Sequence, residues 1–259
     1  MAILLTNDDG IDAPGLAALA EALAGLDDLV VSAPADNRSG VGMSITLGRD
    51  LQAKRHEDGP GGIQRHSLDG TPADAVKYGL QKLFGGKAPR LVVSGVNLGP
   101  NLGINVRCSG TVGAAMEAVV AGIPALAVSV DYVIPTNWDG AKHYARKLAE
   151  KALAMIEDGR HGAFMLNLNV PAKPPEEILG LVVARHGVGG IKDIMTPRGQ
   201  PDKYHLTPEW VPIVPEDGCD TAAFNQGYAV VTPMMLDMTH HGLLGALQDE
   251  WRDDLLTRV

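Results

Sequence analysis

Two adjacent carboxylates, Asp8 and Asp9, lie near the start of the chain in the stretch Thr6-Asn7-Asp8-Asp9-Gly10. They follow the apolar run 2–5, which is typical of a buried strand that ends in a tight loop. Neighbouring carboxylates repel each other unless a cation or hydrogen-bond donors offset the repulsion. The pair therefore predicts a site for a hard divalent cation. The alternative interpretation is a solvated acidic turn, because Asn, Asp and Gly are common turn residues.

The elements that must position this pair predict a parallel α/β sheet. A helix is expected over residues 14–24, with Asp12 as its N-cap and Pro14 in its first turn. A second strand at 29–32 completes a β-α-β unit, which implies a parallel pair with a right-handed crossover. In open α/β sheets ligands bind at the carboxyl ends of the strands, which is where the two aspartates are predicted to lie.

Two further polar loops follow predicted strands. Loop 36–40 follows the second strand, and its Ser39 is expected near the acidic pair because parallel strands end at the same edge of a sheet. Its Arg38 is interpreted either as a clamp for an anion or as a surface charge. A strand at 91–94 precedes loop 95–105, which contains Asn97 and Asn101. The regular Asn and Gly spacing of that loop favours a binding loop over a flexible connection.

Two helix starts carry strong local signals. Thr71, Pro72 and Asp74 predict a capping box, which we interpret as structural rather than as a substrate contact. Ser109-Gly110-Thr111 opens an Ala-rich helix whose small residues let an anion approach the free backbone N–H groups. Close packing of that helix on the sheet is a compatible alternative. Since the chain has no Gly-Lys-Ser/Thr sequence, a Walker A loop is not supported.

The last third of the chain consists of short segments rich in Gly and Pro. We divide the chain into a catalytic core at 1–175 and an appendage of hairpins at 176–259, which is predicted to pair subunits. His240-His241 is interpreted as exposed rather than as a metal site. The remaining predicted strands or extended segments are 44–47, 51–55, 64–68, 125–130, 164–171, 178–184 and 228–232, and the remaining helices are 138–157 and 243–256.

Composition narrows the class of protein. The chain has 259 residues, 45% of them hydrophobic, which fits a packed α/β core. Its net charge of −9 argues against a nucleic-acid polymer or an anionic membrane as a partner. Cys108 and Cys219 are far apart in sequence, so neither a disulfide framework nor a thiolate zinc site is expected. Without a signal segment or an apolar run of about 18 residues, a cytoplasmic location is expected.

The predicted loops bring Asp8, Asp9, Ser39 and Asn97 to one crevice. Their carboxylate, hydroxyl and amide oxygens suit one Mg²⁺ or Mn²⁺ ion per subunit, and Ca²⁺ also fits such a site. A cation beside the helix start at Ser109 is the arrangement that phosphoryl chemistry needs.

Several motifs in one order resemble the SurE family of survival-protein nucleotidases. The match runs from residue 2 to about 130 and reappears near residues 227–239. The matching stretches are Leu4-Leu5-Thr6-Asn7-Asp8-Asp9-Gly10-Ile11, Ala13-Pro14-Gly15, Asn37-Arg38-Ser39-Gly40, Gly70-Thr71-Pro72-Ala73-Asp74, Ser94-Gly95-Val96-Asn97, Asn101-Leu102-Gly103, Ser109-Gly110-Thr111-Val112, Gly227-Tyr228, Thr232-Pro233 and Asp237-Met238-Thr239.

The resemblance implies a metal-dependent 5′-nucleotidase, a phosphatase of nucleoside 5′-monophosphates that often also hydrolyses 3′-monophosphates and short polyphosphate. It implies a three-layer α/β/α Rossmann-like core with a mostly parallel sheet, and a C-terminal arm exchanged in a homodimer or homotetramer. The implied metal ligands are Asp8, Asp9, Ser39 and Asn97, and the implied phosphate contacts are Gly40, Asn101, Ser109, Gly110 and Thr111.

Three positions differ from the family pattern. The family usually has an aromatic residue where this chain has Cys108 and often has Asp where it has Asn105, and Arg107 lies between these two positions. These differences are expected to affect substrate preference and the packing behind the phosphate loop, and they leave the implied metal ligands unchanged.

Other interpretations remain open from the residues. Asp8 or Asp9 could attack phosphorus directly and form an aspartyl-phosphate, although adjacent carboxylates fit shared metal ligation better. The same crevice would also serve a nucleotide or metal sensor that does not turn over substrate. A dinucleotide oxidoreductase is disfavoured, because the first strand leads into an acidic loop rather than a glycine-rich turn.

Overall fold

The computed structural model of the chain describes residues 1–189, 191–210 and 217–251. The helices are α1 (Pro14–Leu23), α2 (Pro72–Lys82), α3 (Gly110–Val120), α4 (Asp139–Asp158), α5 (Asp220–Asn225) and α6 (His241–Glu250). The strands are β1 (Ala2–Thr6), β2 (Asp28–Pro34), β3 (Ala53–Arg55), β4 (Gln64–Leu68), β5 (Leu91–Leu98), β6 (Ala125–Val130), β7 (Met165–Val170), β8 (Leu181–Val183), β9 (Ile191–Pro197), β10 (Tyr204–Trp210) and β11 (Ala229–Met234).

The main sheet has nine strands in the order β3-β4-β2-β1-β5-β6-β7-β11-β8. The six central strands from β4 to β7 run parallel, whereas β3 and β11 run antiparallel to β4 and β7. The prediction of a mostly parallel α/β sheet is therefore confirmed. Strands β9 and β10 form a separate antiparallel hairpin in the region where hairpins were predicted.

Helices cover both faces of the sheet and complete a large hydrophobic core on each face. On one face, Ile3 and Leu5 of β1 belong to the core that α1 and α4 complete. On the other face, Leu4 belongs to the core that α2 and α3 complete. Alternate residues of a strand point to opposite faces, so a strand buried on both sides must be apolar throughout. This packing fixes the carboxyl ends of β1, β2 and β5 at one edge of the sheet.

The N-cap of α2 is the one predicted from the sequence, whereas the N-cap of α1 is not. Thr71 Oγ1 accepts a hydrogen bond from the N–H of Asp74 at 3.1 Å, and the N–H of Thr71 donates to Asp74 Oδ2 at 2.9 Å, so the capping box is confirmed. The prediction that Asp12 caps α1 is wrong. Ala13 is the N-cap residue and makes no side-chain cap. Asp12 lies one position before the N-cap, and its carboxylate pairs with Arg65 at 2.6 Å.

Several helix and strand boundaries also differ from the predicted ones. Strand β5 continues to Leu98, so Asn97 lies on a strand rather than in a loop. Residues 44–47 form no strand. The closing helix α6 begins at His241, and the end of its predicted range, 252–256, lies outside the described residues. The division of the chain at residue 175 stays a prediction, although β8 and β11 belong to the main sheet.

No helix in the described part of the chain is both long enough and apolar enough to span a membrane.

Gly15 supplies a test of the packing between α1 and β5. A Cβ atom at this position would lie 1.9 Å from the carbonyl oxygen of Val96. We expect Gly15→Ala to lower the free energy of unfolding by about 2–3 kcal/mol in urea titrations, because helix or strand must move to relieve the overlap. Gly162→Ala is the matched control, since no atom lies within 4 Å of its added methyl. Equal stability of the two variants would contradict this packing.

Candidate active site

Asp8 lies against the first turn of α3. Its side chain is 3% exposed, and its Oδ1 accepts a hydrogen bond from the hydroxyl of Thr111. A Cβ atom on Gly110 would lie 2.7 Å from the Cβ of Asp8, so this contact requires glycine at the start of the helix. Burial raises the pKa of Asp8 above its ordinary value, while the Thr111 hydroxyl and the N–H groups of Gly110 and Thr111 lower it.

Asp9 faces the end of β5. Asn37 Nδ2 donates to Asp9 Oδ1 at 3.2 Å. Burial and the negative charge of Asp8 raise the pKa of Asp9 to about 6, and the backbone N–H of Leu98 lowers it. Asn97 precedes Leu98, and its Nδ2 donates to the carbonyl oxygen of Gly99 at 2.7 Å. That bond leaves Oδ1 as the atom of the Asn97 side chain suited to a cation.

Loop 36–40 lies beside the acidic pair, as the parallel order of β1 and β2 predicts. The N–H of Arg38 donates to the carbonyl oxygen of Asp8 at 2.7 Å, which fixes the loop to β1. The N–H of Ser39 donates to Asn37 Oδ1 at 2.9 Å, and both Ser39 and Gly40 are exposed. Arg38 Nε is buried without a hydrogen-bond partner among the described residues.

The start of α3 is formed as the sequence predicts. Ser109 is the N-cap, and its Oγ accepts a hydrogen bond from the N–H of Val112 at 3.1 Å. The Ser109 hydroxyl can still donate its own proton to an anion. The first N–H groups of the helix act on the Asp8 carboxylate, so Asp8 is the anion at this helix start in the structure. The roles predicted for Ser109, Gly110 and Thr111 in phosphate binding stay predictions.

Asn101 belongs to a buried polar network beneath the 99–108 segment. Its Nδ2 donates to Ser129 Oγ at 2.8 Å, and its N–H donates to Asn169 Oδ1 at 2.7 Å. Its carbonyl oxygen accepts from Asn167 and Asn169 at 2.8 and 3.1 Å. The structure thus engages the Asn101 amide group with the sheet, and its predicted contact with phosphate stays a prediction.

The residues that support this segment were not predicted from the sequence. Asn167 and Asn169 alternate with apolar residues on β7, and both are fully buried. Two asparagines on the same face of a buried strand are a signal for a polar cluster, and that signal was present in the sequence. Asp220, which accepts the N–H of Gly103 at 3.0 Å, gives a weaker local signal because its partner lies 117 positions away.

The donor set at the acidic pair fits a hard cation. The described residues contain no cluster of three or more His, Cys, Asp or Glu side chains that could hold a metal. A metal here would therefore need the Ser39 hydroxyl and the Asn97 amide oxygen together with the two carboxylates. All four groups supply oxygen atoms, the ligands that Mg²⁺ and Mn²⁺ prefer. Burial and the negative charge of Asp8 raise the pKa of Asp9, and a bound dication would offset the energetic cost of keeping both carboxylates charged.

A groove of about 820 Å³ lies beside α1 and does not include the acidic pair. Its lining is largely apolar. Two cations of the lining, Arg65 and Lys142, form ion pairs with Asp12 and Glu21 at 2.6 and 3.3 Å. Since these cations already have partners, the groove is less suited to a phosphate group than the edge of the sheet near Asp8.

Comparison with known proteins gives the family. A family model described as "Survival protein SurE" matches residues 3–193. The chain belongs to the SurE family. The resemblance deduced from the sequence motifs is therefore confirmed.

Similar proteins match over nearly their whole length. A protein of Desulfatibacillum aliphaticivorans named 5′-nucleotidase SurE is 41% identical over 257 residues, which cover 97% of this chain and 98% of that protein. A protein of Geotalea daltonii with the same name is 42% identical over 253 residues, covering 96% and 98%. The crystal structure of the SurE protein from Aquifex aeolicus has a TM-score of 0.82 and 35% identity, and covers 96% and 99% of the two chains.

The raised pKa of Asp9 predicts how the metal-free SurE chain responds to pH. Folding raises the pKa from 3.8 to about 6, so protonation stabilises the folded state below about pH 4, and this stabilisation is lost as the pH rises through 6. In EDTA at pH 8, we expect the free energy of unfolding of Asp9→Asn to exceed that of wild type by about 1 kcal/mol, a value already reduced for solvent screening.

The difference in free energy of unfolding between Asp9→Asn and wild type should disappear near pH 4 in denaturant titrations. Asp36→Asn is the control, because it removes a charge from the neighbouring loop. A constant difference between pH 4 and 8, or the same pH dependence in Asp36→Asn, would contradict the interpretation.

Proposed function

We propose that this SurE chain is a metal-dependent phosphatase that hydrolyses nucleoside 5′-monophosphates. Water attacks phosphorus, the ester P–O bond breaks, and the nucleoside oxygen takes up a proton, which releases inorganic phosphate. The proposal extends to nucleoside 3′-monophosphates and short polyphosphate as further substrates. The observation that carries it is the Asp8–Asp9 pair, held between the carboxyl ends of parallel strands and the first turn of α3.

The relatives support the class of reaction. Those from Desulfatibacillum aliphaticivorans and Geotalea daltonii are named 5′-nucleotidase SurE and match 97% and 96% of this chain. The acidic pair supports the requirement for a metal, because a buried carboxylate and a partly buried one beside it need a positive partner. We infer one Mg²⁺ or Mn²⁺ ion per subunit, held by Asp8, Asp9, Ser39 and Asn97, and Ca²⁺ also suits these ligands.

When bound, such a cation would polarise the phosphoryl group and lower the pKa of a water molecule. The chain itself supplies orientation and charge. Thr111 holds one oxygen of Asp8, so the carboxylate keeps a single orientation. The Ser109 hydroxyl, whose oxygen already caps α3, has a proton to donate to a phosphate oxygen. The guanidinium of Arg38, in the loop fixed to Asp8, provides positive charge for the ester.

The structure favours water over a carboxylate as the nucleophile. Asp8 is 3% exposed and its Oδ1 is engaged by Thr111, which leaves little room for its attack on phosphorus. Asp9 is more exposed, but it adjoins Leu98 and Asn37. An aspartyl-phosphate trapped by rapid quench of the Mn²⁺-loaded protein with AMP would contradict attack by water.

We also propose that the protein works in the cytoplasm as a homodimer or homotetramer, with a nucleoside monophosphate as substrate and neither a nucleic-acid polymer nor a membrane as partner. The net charge of −9 supports the last point, because it opposes binding to polyanions. Size-exclusion chromatography with light scattering would give the subunit number.

Asp8→Asn tests the proposed role of the acidic pair. We expect phosphate release from AMP with Mn²⁺ to fall at least about a hundredfold, because the buried ligand loses its charge. Asn can keep the hydrogen bond from Thr111, so the Tm in EDTA should stay equal or rise as repulsion of Asp9 is removed. Asp36→Asn is the matched control and should keep wild-type turnover.

Two results would contradict the proposal. Near-normal turnover by Asp8→Asn would exclude Asp8 as an essential ligand. A wild-type protein that binds AMP and Mn²⁺ but releases no phosphate would favour the alternative, a nucleotide or metal sensor.

A further inference from the structure

Asp220 is a fully buried carboxylate that joins three segments of the chain. Its Oδ1 accepts hydrogen bonds from the N–H of Gly187 at 3.0 Å and from the N–H and hydroxyl of Thr221 at 2.7 and 3.2 Å. Its Oδ2 accepts the N–H of Gly103 at 3.0 Å. A buried carboxylate is costly unless donors converge on it, so these bonds define where the three segments must lie.

Gly103 is held from more than one side. Its carbonyl oxygen accepts a hydrogen bond from His186 Nε2 at 2.8 Å, while its N–H donates to Asp220. The next residue, Ile104, donates its N–H to the carbonyl oxygen of Gly189 at 3.0 Å. A Cβ atom on Gly103 would lie 1.9 Å from that same oxygen. The backbone at 103–104 is therefore in direct contact with the segment 186–189.

Gly103 also begins the turn that leads to the start of α3. The 3₁₀ helix Gly103–Cys108 ends where Ser109 caps α3. The N–H of Asn105 donates to Leu102 O at 3.2 Å, and the N–H of Ser109 donates to Val106 O at 3.2 Å. These bonds form a hydrogen-bonded turn that connects Gly103 with Ser109 and with the helix start beside Asp8.

We propose that Asp220 is a positioning residue for the α3 helix start: its bond to Gly103 fixes the 103–110 segment against Asp8. The proposal deepens the proposed phosphatase function and rests on it for its effect on turnover. It assigns a role in the reaction to a residue that lies far along the chain and outside the acidic crevice. Asp220 itself need not touch the substrate.

A substitution at Asp220 can remove the hydrogen bond to Gly103 selectively. In Asp220→Asn, the amide oxygen can still accept the bonds from Gly187 and Thr221. The NH₂ group then faces the N–H of Gly103, and two donors cannot bond to each other. The variant therefore removes the bond to Gly103 and keeps the others. Thr221→Val is the matched control, because it removes one bond to Oδ1 and leaves Oδ2 and Gly103 unchanged.

Kinetics with AMP and Mn²⁺ form the first arm of the test. We expect kcat of Asp220→Asn to fall at least about tenfold, because a displaced binding group misplaces the ester in the transition state. The affinity for Mn²⁺ should stay within about twofold of wild type, since the predicted ligands are elsewhere. Thr221→Val should keep kcat within about twofold. A residue with only a structural role would lower the Tm and leave kcat and KM unchanged, and that result would overturn the proposal.

Amide hydrogen exchange in EDTA forms the second arm, and it does not depend on turnover. Asp220→Asn should speed exchange in the 103–110 segment, and Thr221→Val should not. Unchanged exchange there, or an equal increase throughout β1 and β5, would overturn the positioning role. A wild-type protein without phosphatase activity would contradict the proposed function alone, and the exchange arm would still decide whether Asp220 holds the segment.

Discussion

The burial of the Asp8 carboxylate against the first turn of α3 is the constraint on which the site depends. The contact needs a residue without a side chain at position 110, a hydroxyl at Thr111 and a helix whose N-terminus is directed at the end of β1. The positive end of the helix dipole offsets part of the cost of burying the charge. Asp9 remains costly, because burial and the negative charge of Asp8 raise its pKa to about 6. The site is thus arranged around negative charge that the chain only partly neutralises.

The sheet explains why three distant loops meet at this point. β1, β2 and β5 are parallel neighbours, so the residues that follow β1 and β2 and those at the end of β5 lie at one edge. The next layer contains buried polar groups beside the apolar cluster that includes Leu102 and Phe224. Ser129, Asn167 and Asn169 hold Asn101 from below, and Asp220 holds Gly103. Hydrogen bonds with strict geometry fix a loop more closely than apolar contacts do, which suits a segment that leads to a binding site.

The sequence correctly predicted those features that depend on residues close together in the chain. The capping box at Thr71 and the N-cap at Ser109 each form within three residues, and the apolar runs of the parallel strands need only burial on both faces. The Asp12 cap is absent because Ala13 occupies the N-cap position, and the Asp12 carboxylate accepts a hydrogen bond from Arg65, 53 positions away. Strand β5 was predicted too short because its pairing with β6 resumes at Asn97 after a register shift, which periodicity does not reveal. The partners of Asp220 and Asn101 arise only when the chain is folded.

A manganese anomalous-scattering experiment would test the central claim most directly. Crystals grown with Mn²⁺ and inorganic phosphate should show one anomalous peak per subunit among the side-chain oxygens of Asp8, Asp9, Ser39 and Asn97, with the phosphate in contact with both the ion and Ser109. A peak held by other side chains, such as those of His240 and His241, or density for phosphate far from the start of α3, would contradict the account.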